Sequence, residues 1–470
     1  MKLSNLRSPN TARSDLIRAI PEAQCYLEKF DELSRPLAVI KVGGAIIDNN
    51  EGLVTLIGAA NHLLRLGFPP VIVYGGGKQI DLGYSQAGLK RYKNQEGLAV
   101  TSSEGISIVA EVLKSIGQKI VENFGGGVGR LFYGVFEAPL TNYDELGWVS
   151  SSPVLSQSAS EEVLDSLRSG HVPVISCLGK VAVWNGEDGD LSEELFVPVN
   201  INGDDAALAV VKSLVPHRYL SVTPTGGVLD EEKRIITLLH PESLPDLESR
   251  LVISDGMAKK VKEATRALDY VEGVSILMPG DIIRELFTHA GEGTLIINHR
   301  GIIKRDPKAV DSDKVSELIE SAFSKEGEIA KLASDYFKLP DIKSILITSQ
   351  KYDAVAVIRD LGIGSSFNYI CKIAVRPNVR GHGLSSEILT TAAREGNVIW
   401  RARVDDEDPA NLRLQRMYEN NSDGQRSVTS SQGRGWVVYW KNVTASNQEL
   451  ESAIEFVSNL EPTITRISTI

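Results

Sequence analysis

From Leu37 to about Lys304 the hydrophobic pattern alternates between short unbroken apolar runs and longer stretches of helical spacing. The runs "RPLAVIKVGG" and "PPVIVYGGGKQID" end in glycines, and "VPVISCLG", "RYLSVTP" and "VSILMPG" are of the same kind. Between runs lie amphipathic segments such as "SEGISIVAEVLKSIGQKIVENF". Continuous apolar runs are what strands buried on both faces look like, and their alternation with helices predicts a parallel sheet covered on both faces, an α/β domain of about 270 residues. Ligands of such sheets bind beyond the carboxyl ends of the strands, where these glycines fall. Upstream, Leu16, Ile17, Ile20, Tyr26, Leu27 and Phe30 follow partial helical spacing across Pro21, which predicts two short helices within residues 12–33.

The texture changes at "RGIIKRDPKAVDSDK", so the sequence places a boundary near 305–312. Beyond it, "SILITSQKYDAVAVIRDLG" reads as a β-hairpin turning at Lys351, Tyr352 and Asp353. "FNYICKIAVRP" reads as a strand, "LSSEILTTAAREG" as a helix and "NVIWRARV" as a strand. "ENNSDGQRSVTSSQGRG" reads as a polar loop before a final strand, "WVVYWKN", and the chain from Ala445 as a helix with a polar end. The expected organisation is an N-terminal helical segment (1–36), an α/β domain (37–305) and an α+β domain (312–470).

Composition narrows the function classes. Lysine plus arginine total 50 and aspartate plus glutamate 61, a net charge of −11 with no basic arm, which argues against nucleic-acid or anionic-membrane binding. Cys25, Cys177 and Cys371 are scattered, with no metal-ligand spacing, and fit a reducing cytoplasm. No apolar run approaches the ~20 residues that span a bilayer.

Candidate chemistry lies where strands end. Lys41 precedes Gly43 and Gly44, and the next apolar run ends in Gly75, Gly76 and Gly77. Glycines there bare backbone N–H groups to an oxyanion, although glycines also simply end strands. Asn200, Asn202 and Asp204 cluster just before a helix expected to start near Ala206, which also suits a plain N-cap turn. Gly256 precedes a helix carrying Lys259 and Lys260, a pair that could equally be a solvated surface feature.

Taken together, Lys41-x-Gly-Gly, Gly75-Gly76-Gly77, Asn200-x-Asn-x-Asp204 and Gly-Met-x-x-Lys260-Val resemble the amino-acid kinase family, in particular its N-acetylglutamate kinases, over residues 37–304. The resemblance implies a mainly parallel three-layer sheet domain that transfers a phosphoryl group from MgATP to N-acetylglutamate. It implies that Lys41 and Lys260 flank the transferred group and that Asp204 orients both. It further implies that the amides of Gly44 and Gly76 hold oxygens, with Gly43 and Gly75 beside them, and that Asn200 binds the acceptor. Mg2+ would be held largely by phosphates and water. One position departs. The kinase pattern Gly-Leu-Arg-Val-Thr reads Gly97-Leu98-Ala99-Val100-Thr101 here, which removes an arginine that clamps a substrate carboxylate. Lys90, Arg91 and Lys93 lie just upstream as candidate substitutes. The N-terminal "YLEKFDELSRPLAVIKVGG" and "ELFTHAGEGTLI" (Glu285–Ile296) resemble the helix and loop of arginine-sensitive members, implying an L-arginine effector and a homo-oligomer, a tetramer, although an ordinary dimerising helix and a loop read equally well.

In the last third, "IAVRPNVRGHGLSSEIL" puts Arg380, Gly381 and Gly383 between a strand and a helix. With "YICKIAVRP", "VIWRARV", "NNSDG" and "WVVYW" it resembles the GCN5-related N-acetyltransferase domain of vertebrate-like N-acetylglutamate synthases and of bifunctional synthase/kinases. The resemblance implies acetyl transfer from acetyl-CoA, held at Arg380, Gly381 and Gly383, to L-glutamate, whose carboxylates meet Lys372 and Arg401. It places Asn411 and Tyr418 near the CoA sulfur, with Tyr418 as general acid. Cys371 stands where that family usually has aspartate, Ser385 replaces a glycine or alanine at the loop's end, and the Asn411–Tyr418 spacing is long. Single-activity proteins, a synthase with a sensing kinase domain or a kinase with a degraded acetyltransferase, are the alternatives.

Overall fold

A computed structural model describes residues 10–20, 23–94, 99–184, 194–249, 255–288, 292–298, 302–324, 328–333, 335–348, 352–362, 365–376, 379, 383–403, 415 and 417–468. The chain separates into two compact units, 1–287 with 291–298, and 288–290 with 299–470.

The first unit is built on an eight-stranded sheet. From edge to edge its strands are Leu238–Leu239, Thr294–Ile296, Gly273–Leu277, Arg218–Val222, Ala38–Val42, Val71–Tyr74, Val172–Ser176 and Gly129–Phe132. Every neighbouring pair is parallel except Gly273–Leu277 with Thr294–Ile296. Alternation along the strands decides the two cores. Ile40, Val42, Ile72 and Tyr74 enter one, with Leu53 and Leu56 of the helix Asn50–Arg65 and Val109 and Leu113 of the helix Ser103–Phe124. Val39, Val71 and Val73 enter the other, with Ala206, Val210 and Val261 from the helices Gly203–Leu214 and Asp255–Ala267. Lys41 has the parity of Val39 and so faces those two helices.

The two short helices expected around Pro21 are Asn10–Ala19 and Ala23–Asp31. They are part of the first unit: Leu16, Tyr26, Leu27 and Phe30 enter its core, and Phe30 meets Phe287 edge-on at 5.4 Å.

Other expectations are corrected. A second, five-stranded sheet stands in the first unit, in the order Val149–Ser150, Glu194–Ile201, Leu178–Trp184, Phe136–Glu137, Val154–Leu155. Three of its strands are two residues long, too short to show any period. The helix expected from Ala206 begins at Gly203, because the Asn202 side chain accepts from Asp204 N at 2.9 Å and caps it there. Asp204 therefore lies in the first turn, as does Gly256 in Asp255–Ala267.

The second unit has a seven-stranded sheet ordered Ile302–Arg305, Ile342–Thr348, Ala354–Asp360, Phe367–Val375, Asn397–Arg403, Gly435–Lys441, Gly424–Thr429. The helix Leu384–Ala393 covers one face, and the helices Ser312–Phe323 and Asn447–Asn459 cover the other. Ile302–Arg305 pairs with Ile342–Thr348, so the second unit starts before the expected boundary at 305–312. The polar stretch before Trp436 holds the edge strand Gly424–Thr429, whose exposed polar side chains hid it. Nor is Gly435–Lys441 final: Ile464–Ser468 pairs with Glu328–Leu332.

Candidate active sites

In the first unit Lys41 leaves the central strand towards the helix Gly203–Leu214, and its Nζ meets Asp204 Oδ1 at 2.6 Å. A Cβ on Gly203 would stand 3.3 Å from Lys41 Cε, so glycine lets the lysine pass close over the start of the helix. Burial works against the Asp204 carboxylate. The charge and hydrogen bond of Lys41, then Glu263 and Lys260, outweigh it and hold the group below the usual carboxylate range. Burial, then the Lys41 charge, lowers the Lys260 amine, with Asp204 and Glu263 pulling the other way. The structure thus brings together two lysines and one carboxylate that the sequence spreads over some 220 residues. Cys177 lies near this group, and burial pushes its thiol up to about 12, which leaves it an inert neutral packing residue.

Beside this group lies a cavity of about 210 Å³. Gly75, Gly76, Ala99, Arg91, Lys93 and Asn200 are among its walls. A Cβ on Gly76 would come within 2.5 Å of Ile116 Cδ1, so a larger residue there would have to displace the Ile116 side chain. Asn200 is buried, and its Nδ2 donates to Thr101 Oγ1 at 3.0 Å, which orients the amide. Gly43 caps the short helix Gly44–Asp48, and Gly44 O accepts from Gln79 Nε2 at 3.1 Å. Gly97 and Leu98 lie outside the described residues.

The loop that resembles an arginine-binding segment begins at Glu285, whose carboxylate is fully engaged. Oε1 accepts from Arg218 Nη2 at 2.6 Å and Ser275 Oγ at 2.5 Å, and Oε2 from Glu292 N at 2.8 Å. Burial raises this carboxyl, opposed by Arg218 and Ser275. His289, Ala290 and Gly291 lie outside the described residues.

In the second unit the parallel strands Phe367–Val375 and Asn397–Arg403 pair only from Phe367↔Asn397 to Ile370↔Trp400. Beyond that point they part, leaving 371–375 and 401–403 unpaired with each other. Cys371 is the extra residue of a bulge against Ala354–Asp360, where Val357 faces Lys372 and Ile358 faces Ile370. Cys371 and Lys372 thereby meet: Lys372 Nζ lies 3.5 Å from Cys371 Sγ, and Arg359 Nη1 lies 3.9 Å from the same sulfur. Burial opposes the thiolate, but Lys372, a hydrogen bond from Tyr336, and Arg359 lower the thiol below its ordinary value. Burial also lowers the Lys372 amine, with Cys371 opposing. The sequence reading missed Arg359 and Tyr336, which carry no local motif.

Arg401 shares the face of Ile399 and Val438, and its charge reaches Lys372. Its guanidinium already donates to Val457 O, Ser458 O and Leu460 O at 2.5, 3.0 and 2.6 Å and lies over the Trp436 ring. Arg401 therefore closes the C-terminal end of the helix Asn447–Asn459, a structural task the sequence reading did not give it. Tyr418 is on the opposite face. Its ring meets Trp400 and Tyr439 at 5.8 and 5.4 Å, inside the core under the helix Leu384–Ala393, and burial alone raises its hydroxyl. The structure does not bring Tyr418 to Lys372 and Arg401, and its packing is that of a core tyrosine. Gly383 takes φ +70 at the start of the helix Leu384–Ala393, a conformation glycine tolerates best. Asn411, Arg380 and Gly381 lie outside the described residues.

A model of the amino acid kinase family matches residues 36–274. The chain belongs to the amino acid kinase family. Residues 302–461 match the N-acetyltransferase domain model of N-acetylglutamate synthase. A protein of Xanthomonas campestris pv. campestris named acetylglutamate kinase is 29% identical, over 94% of this chain and 98% of that one. An acetylglutamate kinase of Methanothrix thermoacetophila is 31% identical, over 60% of this chain and 97% of its own. Among solved structures, N-acetylglutamate synthase from Neisseria gonorrhoeae with coenzyme A and N-acetyl-glutamate aligns with a TM-score of 0.54 at 17% identity, covering 89% of this chain and 98% of that one. This structural likeness bears on the fold: a mainly parallel kinase sheet followed by an acetyltransferase sheet. Among the described residues no helix is long and apolar enough to cross a membrane.

Proposed function

We propose that this chain is a bifunctional N-acetylglutamate synthase/kinase of arginine biosynthesis, working in the cytoplasm as a homo-oligomer, a tetramer. The observation that carries the kinase half is the Lys41–Asp204 pair at 2.6 Å, with Lys260 coupled to it, beside a glycine-walled cavity that Asn200 enters. Phosphoryl transfer asks mainly for positioning and charge neutralisation. Lys41 and Lys260 offset charge on the γ-phosphoryl of MgATP, and Asp204 keeps both amines in place. The γ-carboxylate of N-acetylglutamate attacks phosphorus and ADP leaves.

The acetyl half rests on the parted strands and on Lys372. Backbone groups of 371–375 freed by the parting pair with the pantetheine arm of acetyl-CoA, whose pyrophosphate the loop before Leu384 holds. Lys372 meets a glutamate carboxylate, with Arg401 adding its charge. The neutral glutamate nitrogen attacks the thioester carbonyl, the C–S bond breaks, CoA leaves as thiolate, and the proton shed by the nitrogen as the amide forms passes to solvent. A thiol with an ordinary value of ~8.5 is a good leaving group, so a buried tyrosine need not protonate it. The names of relatives support both reactions, and a gonococcal synthase structure with L-arginine bound supports arginine as effector.

Purified protein given glutamate and acetyl-CoA releases CoA thiol; given N-acetylglutamate and MgATP it releases ADP. Thiol without ADP identifies a synthase with a sensing kinase domain, a reading that Ala99 favours; ADP without thiol identifies a kinase.

A further inference from the structure

The departure at Ala99 leaves the acceptor cavity without its expected arginine, but not without cations. Lys93 and Ala99 form an antiparallel bridge, and Val100 N donates to Tyr92 O at 2.9 Å. Bridged residues have Cβ atoms about 5 Å apart, so the ammonium of Lys93 is rooted directly across from the place a clamp at 99 would start. Arg91 lines the same cavity with its side chain 11% exposed. Its Nη1 donates to Asp81 Oδ1 at 2.7 Å and Gly77 O at 3.1 Å, and its guanidinium lies 6.0 Å from the Tyr84 ring. These contacts fix the plane of the fork while using one of its nitrogens. The Nε is buried and, among the described residues, has no hydrogen-bond partner. A buried donor without a partner is costly, and a ligand supplying an oxygen would recover that cost. Among the described residues of the cavity wall, two cations, Arg91 and Lys93, stand against the carboxylate of Asp81.

We propose that the carboxylate clamp has moved from position 99 to Arg91 and Lys93. Arg91 presents Nε and Nη2 to the α-carboxylate of the acceptor, and Lys93 neutralises it from across the bridge. Asp81 is the positioning residue that holds Arg91. The acceptor class this selects is a short acidic amino-acid derivative with a free carboxylate at the end that is not phosphorylated. This rests on the kinase reading of the first unit and specifies how its acceptor is held.

The test uses the full chain, with Arg91→Gln, Arg91→Lys, Lys93→Gln and Arg91→Gln/Lys93→Gln, each alone and with Ala99→Arg. ADP release is measured against N-acetylglutamate and against its α-amide, with calorimetric titration of N-acetylglutamate in parallel. Loss of a charge-assisted contact raises the acceptor KM about tenfold or more. The KM for ATP and kcat stay within about twofold, as they do when only ground-state acceptor binding is removed. The α-amide shows no such loss, because the carboxylate that Arg91 serves is gone, and Ala99→Arg restores the acceptor KM of the double variant. An unchanged acceptor KM overturns the proposal, as does an equal change in the ATP KM or a loss that persists with the α-amide. A wild-type chain that neither releases ADP nor binds N-acetylglutamate overturns the kinase reading itself and the clamp with it. Should Arg91→Gln fail to fold, Arg91→Lys, which keeps the charge beside Asp81 but loses the fork, and Lys93→Gln decide.

Discussion

The sulfur of Cys371 lies 3.5 Å from the ammonium of Lys372 because a β-bulge turns two consecutive side chains to one side. An aspartate at this place would bring a permanent negative charge. A thiol brings one only when ionised, and Lys372, Tyr336 and Arg359 favour that ionisation against burial. Thiolate ultraviolet absorbance should therefore titrate below the ordinary thiol range and vanish in Cys371→Ala. Cys371→Asp should keep acetyl transfer, whereas Cys371→Ala should raise the glutamate KM by roughly tenfold through a misplaced Lys372. Equal KM values for the three proteins would exclude this positioning role.

The Lys41–Asp204 pair predicts a loss confined to one reaction. Lys41→Ala or Asp204→Asn should lower kcat for ADP release by roughly 10²–10³-fold, the usual effect of removing one preorganised charge partner. CoA thiol release should persist, since both residues belong to the first unit. Parallel loss of both activities would instead point to misfolding.

Proton binding at the same cluster sets a pH window. Lys260 is held below the ordinary lysine value of ~10.4, so it loses charge sooner as pH rises, and kinase kcat should fall on the alkaline side before an exposed lysine would titrate. Asp204 is depressed when folded, so its contribution to stability is complete above the unfolded value of ~3.9 and is lost as pH falls through the folded one. Asp204→Asn should remove that acid-side slope from denaturant unfolding. A kinase profile flat up to pH ~10.4 would contradict the first expectation.

Tyr418 separates two roles cleanly. A general acid contributes about 10²–10⁴-fold, whereas a packed tyrosine contributes nothing to the chemical step. Tyr418→Phe should therefore leave kcat for thiol release nearly unchanged. Tyr418→Ala should lower stability by about 3–5 kcal/mol by hollowing the core shared with Trp400 and Tyr439. A large fall in kcat for Tyr418→Phe would restore the catalytic role.

Legibility followed the range of the interactions. The strands around Lys41 and Lys372 were plain in the sequence because each is a mostly apolar run marked by itself. The small sheet containing Phe136–Glu137 was not, since two residues carry no period. Edge strand Gly424–Thr429 was hidden for a different reason: its side chains face solvent and read as loop. In the sites, glycines and lysines at strand ends were visible as motifs. Arg401 serving carbonyls of the helix Asn447–Asn459 was not, because that contact joins residues more than fifty positions apart. Arg91 and Lys93 stood among several upstream basic residues, and only the bridge to Ala99 singled out Lys93.

The parting of Phe367–Val375 from Asn397–Arg403 has an evolutionary side. Peptide groups are the same whatever the side chains, so a ligand gripped by main chain is indifferent to most substitutions along 371–375. With the donor held as proposed above, the donor end of the acetyltransferase is thereby insulated from mutational drift. On the same proposal the acceptor end, resting on side chains such as Cys371 and Lys372, is left free to change without the donor having to be relearned.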